Sequence, residues 1–110
     1  MTASRRQRIE ALLRDDPGDT FLRYGLALEM AQEGEIDAAT AIFADLATAS
    51  PAYVPAFHMA GRHLAASGRI AEARRFLRDG IEEARRQGQD HAAGEMAELL
   101  MELGAHGADD

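Results

Sequence analysis

The chain has 110 residues, a formal net charge of −7 and no cysteine. This length fits one domain, and the lack of cysteine excludes disulfides, thiolate nucleophiles and Cys-ligated metal sites. The acidic excess disfavours nucleic-acid and anionic-lipid partners, and no run approaches the roughly 18 apolar residues that span a bilayer. We therefore expect a cytoplasmic protein with no nucleic-acid or membrane partner.

A short first helix is predicted over residues 5–14. Its apolar residues Ile9, Leu12 and Leu13 follow the i, i+3, i+4 spacing of one helix face. Pro17 ends this helix, because proline disfavours helical conformation in the residue before it.

The second helix is predicted to begin at Asp19 or Thr20, either of which can cap it, and to run to about Glu33. Two adjacent apolar stripes make it apolar over more than half its circumference. The stripes consist of Leu22, Leu26, Ala27 and Met30, and of Phe21, Tyr24, Leu28 and Ala31. Gly34 then reverses the chain, and a third helix is predicted near residues 37–49.

The last three helices are predicted near residues 55–67, 70–87 and 91–103. Pro17 and Pro51 lie 34 residues apart, and Arg85 occupies the next place in that series. Because no proline closes the fifth helix, we expect it to run about one turn longer than the third.

Six residues between Ala27 and Phe43 have counterparts one period later in the chain. The pairs, each 34 residues apart, are Ala27 and Gly61, Met30 and Leu64, Gly34 and Gly68, Ile36 and Ile70, Ala39 and Ala73, and Phe43 and Leu77. A fixed period of this size is typical of a repeat array, in which each unit buries its apolar face against its neighbours. The small residues mark points where helix backbones cross closely.

This pattern resembles the tetratricopeptide repeat, a helix–turn–helix unit of 34 residues found in small bacterial-type proteins among others. The resemblance covers roughly residues 5–103, with Arg23 standing where the family has an aromatic residue and a step of 36 residues before the last helix. It implies an all-α, right-handed α-solenoid of about six antiparallel helices, in which two full units are flanked by half-units. We expect one domain over residues 1–104 and a disordered acidic tail over residues 105–110.

The resemblance also implies a non-enzymatic module that binds a peptide or helix of a partner protein in a concave groove. Carried over by position, the groove residues are Phe21, Tyr24, Leu28, His58, Arg62 and Glu98. The sequence leaves open whether the first three form a binding surface or are covered by neighbouring helices. One subset of the family grips a C-terminal carboxylate with lysine and asparagine, and the residues at those places here do not support that specificity.

No other pattern predicts chemistry. His58 and His63 are five residues apart, which does not place them on one helix face, so we expect no metal site. The glutamates from Glu82 to Glu102 are spaced as solvated helix faces, and the arginines are interleaved with acidic residues as surface pairs. We expect no cofactor and no catalytic residue. The alternative to partner binding is a homodimer formed through the groove or through the apolar end faces.

Overall fold

The computed structural model describes residues 2–106, which form six helices and no strand. The helices are α1 (Arg5–Asp15), α2 (Thr20–Gln32), α3 (Ile36–Ala47), α4 (Val54–Ala66), α5 (Ile70–Arg86) and α6 (Asp90–His106). The first five end within two residues of their predicted bounds, and the all-α repeat fold is confirmed. The sixth runs three residues further than predicted, so residues 105 and 106 of the expected tail are helical and residues 107–110 lie outside the described residues. None of the described helices is long and apolar enough to cross a bilayer.

Each helix packs against its neighbours in the chain, and α4 also contacts α2 and α6. The first helices of successive pairs therefore lie side by side. The core lies between the first and second helices of these pairs and includes the fully buried side chains of Phe43, Leu64, Leu77 and Met96. This stack is the lateral nesting of repeats that the 34-residue period predicts.

The turns within successive helix pairs are built in the same way. Gly34 and Gly68 have φ of 87° and 81°, a left-handed conformation that glycine adopts without a Cβ clash. The residue after each glycine donates its N–H to a carbonyl of the last helical turn: Glu35 N to Met30 O at 2.9 Å, and Arg69 N to Leu64 O at 2.9 Å. This is the Schellman arrangement that ends many helices.

Small residues lie where helix backbones come close. Ala27, Ala39 and Ala73 are completely buried, as their predicted role at helix crossings requires. A Cβ added at Gly61 would lie 2.6 Å from Leu77 Cδ2, and one added at Gly80 would lie 2.5 Å from the Cβ of Phe57. The packing therefore leaves no room for a side chain at either glycine.

The fifth helix is longer than the third, as the missing proline predicts. It has 17 residues against 12 in α3. Just past its end, the Gln87 side-chain amide donates a hydrogen bond to the carbonyl of Ala52 at 2.9 Å. This contact ties the end of α5 to the linker between α3 and α4.

Ion pairs connect the helices along the edge that carries the turns. The guanidinium of Arg6 in α1 pairs with Glu33 and Glu35 at the α2–α3 turn, and Arg69 before α5 pairs with Asp37 in α3. Exposed pairs of this kind contribute little to stability, because water and salt screen them. Burial of the apolar core supplies most of the stability.

Replacing Gly80 with alanine tests the close packing of α5. We expect Gly80→Ala to lower the free energy of unfolding by about 1 to 3 kcal/mol, because the new methyl group overlaps Phe57 and Met96. Urea denaturation followed by circular dichroism measures this change.

Gly94→Ala is the matched control, because Gly94 is exposed within α6 and a Cβ there would meet no atom within 4 Å. Alanine's better helix propensity should raise the stability by about 0.5 to 1 kcal/mol. Equal effects of the two substitutions would show that α5 does not pack as described.

Candidate functional site

The first helices of the pairs, α2, α4 and α6, form one face of the molecule, which we name the groove face. Three clefts lie along it. We name them the apolar cleft, between α1 and α2, the middle cleft, between α2 and α4, and the acidic cleft, between α4 and α6.

The apolar cleft has a volume of about 160 Å³. It is lined by Arg5, Ile9, Phe21, Leu22, Tyr24, Gly25 and Leu28. The Phe21 side chain is 73% exposed at its rim, whereas Ile9 is buried beneath it. The Arg5 guanidinium is engaged by Glu29, with Nε 3.3 Å from Oε2. An apolar floor with a free aromatic ring at its edge suits an apolar side chain from outside.

Tyr24 is only partly available to such a ligand. Its ring packs edge-on against Tyr53, with centroids 5.2 Å apart, and against Phe43, at 6.2 Å. Burial raises the pKa of its hydroxyl above the ordinary value. Tyr24 therefore belongs to the core as well as to the wall of the cleft.

The middle cleft has a volume of about 390 Å³. It is lined by Leu28, Gln32, Met59, Arg62, His63 and Ala66. The His63 imidazole stacks on the Phe43 ring at a centroid distance of 6.5 Å. Partial burial, with a smaller contribution from the Arg62 charge, lowers the pKa of His63, so the ring is neutral at pH 7.

The acidic cleft has a volume of about 270 Å³. It is lined by His58, Arg62, Glu95, Glu98, Leu99 and Glu102. Burial is the largest influence on His58 and lowers its pKa; Glu95 opposes this shift and Arg62 adds to it. With a neutral His58, three carboxylates face one guanidinium.

The three clefts are continuous because they share residues. Leu28 lines both the apolar and the middle cleft, and Arg62 lines both the middle and the acidic cleft. Each of the six residues expected in the groove lines at least one of these clefts. Their role in binding stays a prediction.

The sequence reading missed other residues of the groove face. Helical spacing predicts Glu95 and Glu102 to be solvated surface residues, and the structure places them on either side of Glu98 in the acidic cleft. Their spacing of three and four residues from Glu98 places all three on one side of α6, and this spacing was the available signal. Met59 of the middle cleft had no such signal.

Cleft volume alone does not single out this face. A cleft of about 370 Å³ lies between α3 and α5, and one of about 510 Å³ lies beside the 49–55 linker. The groove face differs from both because its clefts join end to end and because Phe21 is exposed there. Among the described residues, no group of three or more His, Asp or Glu side chains is arranged to hold a metal ion.

Residues 30–93, more than half of the chain, match the family model of the tetratricopeptide repeat. The chain belongs to the tetratricopeptide repeat family. Tetratricopeptide repeat domains are generally non-catalytic modules that bind other proteins. A search among proteins of curated function gives no match.

Two solution structures share the fold of this tetratricopeptide repeat chain. One is a tetratricopeptide repeat domain protein from Salinibacter ruber, with 27% identity and a TM-score of 0.77, covering 86% of this chain and 96% of its own. The other is a protein from Bordetella parapertussis, with 25% identity and a TM-score of 0.82, covering 97% and 93%. The similarity therefore extends over the whole helical stack.

The two histidines of the groove face make stability depend on pH. A folded-state pKa below the unfolded value of 6.5 means that the unfolded chain binds more protons, so stability is lost as pH falls through that value. We expect the melting temperature to decrease between about pH 7.5 and 5.5. The decrease should be smaller in the double variant His58→Gln, His63→Gln.

His91→Gln is the control, since the His91 side chain is 91% exposed in α6. It should retain the pH dependence of the wild type. An unchanged melting temperature of the wild type over this range would contradict the burial of the two imidazoles.

Proposed function

We propose that this protein binds an extended or helical segment of a partner protein along the groove face. The observation that carries the proposal is the continuity of the three clefts, with an exposed aromatic ring at one end. Binding sites for protein segments combine a few large anchors with a surrounding polar surface.

The anchors we assign are Phe21 in the apolar cleft and Arg62 between the middle and acidic clefts. Aromatic and arginine side chains provide much of the binding energy in protein interfaces. Within residues 2–104, no carboxylate forms an ion pair with the Arg62 guanidinium, although glutamates line the same cleft. Its donors are therefore available to backbone carbonyls of a bound segment.

Two alanine variants test this proposal. We expect Phe21→Ala and Arg62→Ala each to weaken partner binding roughly thirtyfold, as loss of about 2 kcal/mol at an anchor implies. Both side chains are exposed, so melting temperature should change little. Tyr24→Ala is unsuitable because it would also remove the ring contacts with Phe43 and Tyr53.

The measurement is affinity capture from the native host followed by quantitative mass spectrometry. Arg85→Ala is the matched control, because Arg85 is exposed in α5 and lines none of the three clefts. Equal recovery of the same proteins by the wild type, Phe21→Ala and Arg62→Ala would refute the groove assignment.

Self-association is the second candidate, and exposed apolar side chains at the ends of the stack favour it. Leu12 in α1 is 54% exposed, and Met101 in α6 is 75% exposed. Such residues can pair two copies. In this case, light scattering over a wide concentration range should give about twice the monomer mass of 11.9 kDa, and Leu12→Asp should restore the monomer. A monomer at every concentration would exclude this candidate.

A further inference from the structure

The two ends of the groove face differ in charge. In the apolar cleft, the one basic side chain, Arg5, is paired with Glu29. At the other end, Glu95, Glu98 and Glu102 lie on one side of α6 and line the acidic cleft. The groove therefore changes from apolar to negative along its length.

The carboxylates of the acidic cleft lack the ion pairs found along the turn edge, and the single charge of Arg62 in the same cleft balances only one of the three. Arginines pair with Glu33, Glu35 and Asp37 along the turn edge. Within residues 2–104, no arginine forms an ion pair with Glu98 or Glu102, and Glu95 is 3.5 Å from the exposed His91 imidazole. Like charges three and four residues apart on a helix repel each other, and a positive ligand would relieve this repulsion.

We infer that the bound segment carries a bulky apolar side chain at one end, which enters the apolar cleft, and lysine or arginine at the other, which pairs with Glu98 and Glu102. This inference rests on the proposed function and adds the chemistry of the partner. The acidic cleft repels an acidic segment, and a wholly apolar segment leaves the carboxylates of the cleft unpaired.

The helix spacing sets the length of this segment. Packed helices lie about 8 to 10 Å apart, so two steps from α2 to α6 cover roughly 16 to 20 Å. An extended chain rises about 3.3 Å per residue. The apolar and basic residues are therefore separated by about five or six positions.

A random peptide library tests the inference directly. Peptides of about ten residues, long enough to cover this span, are displayed and selected on the wild-type protein. We expect enrichment of a bulky apolar residue about five or six positions from lysine or arginine. Fluorescence anisotropy then gives the affinity of one synthesised selected peptide for each variant.

The double variant Glu98→Gln, Glu102→Gln removes two charges and preserves side-chain size. We expect it to bind the selected peptide roughly fivefold more weakly, with a smaller dependence on salt. Glu82→Gln is the charge control, because Glu82 is exposed and lines the cleft between α3 and α5. It should bind as the wild type does.

Two other results separate this inference from the proposed function. In the first, the selected peptides lose binding to Phe21→Ala but show no preference for basic residues and bind the double variant Glu98→Gln, Glu102→Gln normally. This result would overturn the partner chemistry and leave the groove assignment intact. A selection in which no peptide is sensitive to Phe21→Ala would overturn both.

Discussion

Two helices can bring their backbones together only where no side chain stands between them. At the α4–α5 contact this condition is met by Gly61, whose missing Cβ leaves room for Leu77, and by Gly80, which accommodates Phe57. Buried alanines serve the same purpose at Ala27, Ala39 and Ala73. Since protein interiors are packed as densely as organic crystals, a larger side chain at any of these positions would push the adjoining helices apart.

The groove face follows from this packing. When the helices of each pair are held close, α4 lies between α2 and α6 and contacts both. Side chains on the outer sides of these three helices then line shared clefts, and Leu28 and Arg62 each belong to two of them. The site is thus a product of lateral stacking, and residues far apart in the chain come together through the repeat geometry.

The sequence predicted the helices and the buried small residues because both repeat at a fixed interval that can be read without knowing contacts. The sequence also shows that Arg23 departs from the family pattern, but it does not show why. Positions 23 and 46 correspond to Phe57 and Gly80 one repeat later. In the second unit, the ring of Phe57 packs on Gly80. In the first unit, Arg23 stands in place of the ring and the buried Leu46 in place of the glycine. The Arg23 guanidinium points to Asp45, with Nη2 3.2 Å from Oδ2. These two differences between the repeat units compensate each other, and this is visible only when the contact between the two positions is known. For the same reason, helical spacing placed Glu95 and Glu102 on one side of α6 but could not show which residues lie opposite them.

The first helix has fewer packed neighbours than the others, because it packs mainly against α2 whereas each of α2 to α6 packs against at least two helices. Across Arg5–Asp15, all of which the structure describes, Ile9 is the one buried residue, Leu13 is half-buried, and surface ion pairs join Arg5 and Arg6 to α2 and the turn after it. Segments with so few buried contacts open locally at little cost in free energy. Because α1 forms one wall of the apolar cleft, a local opening of α1 widens that cleft and leaves the packing of the other five helices in place.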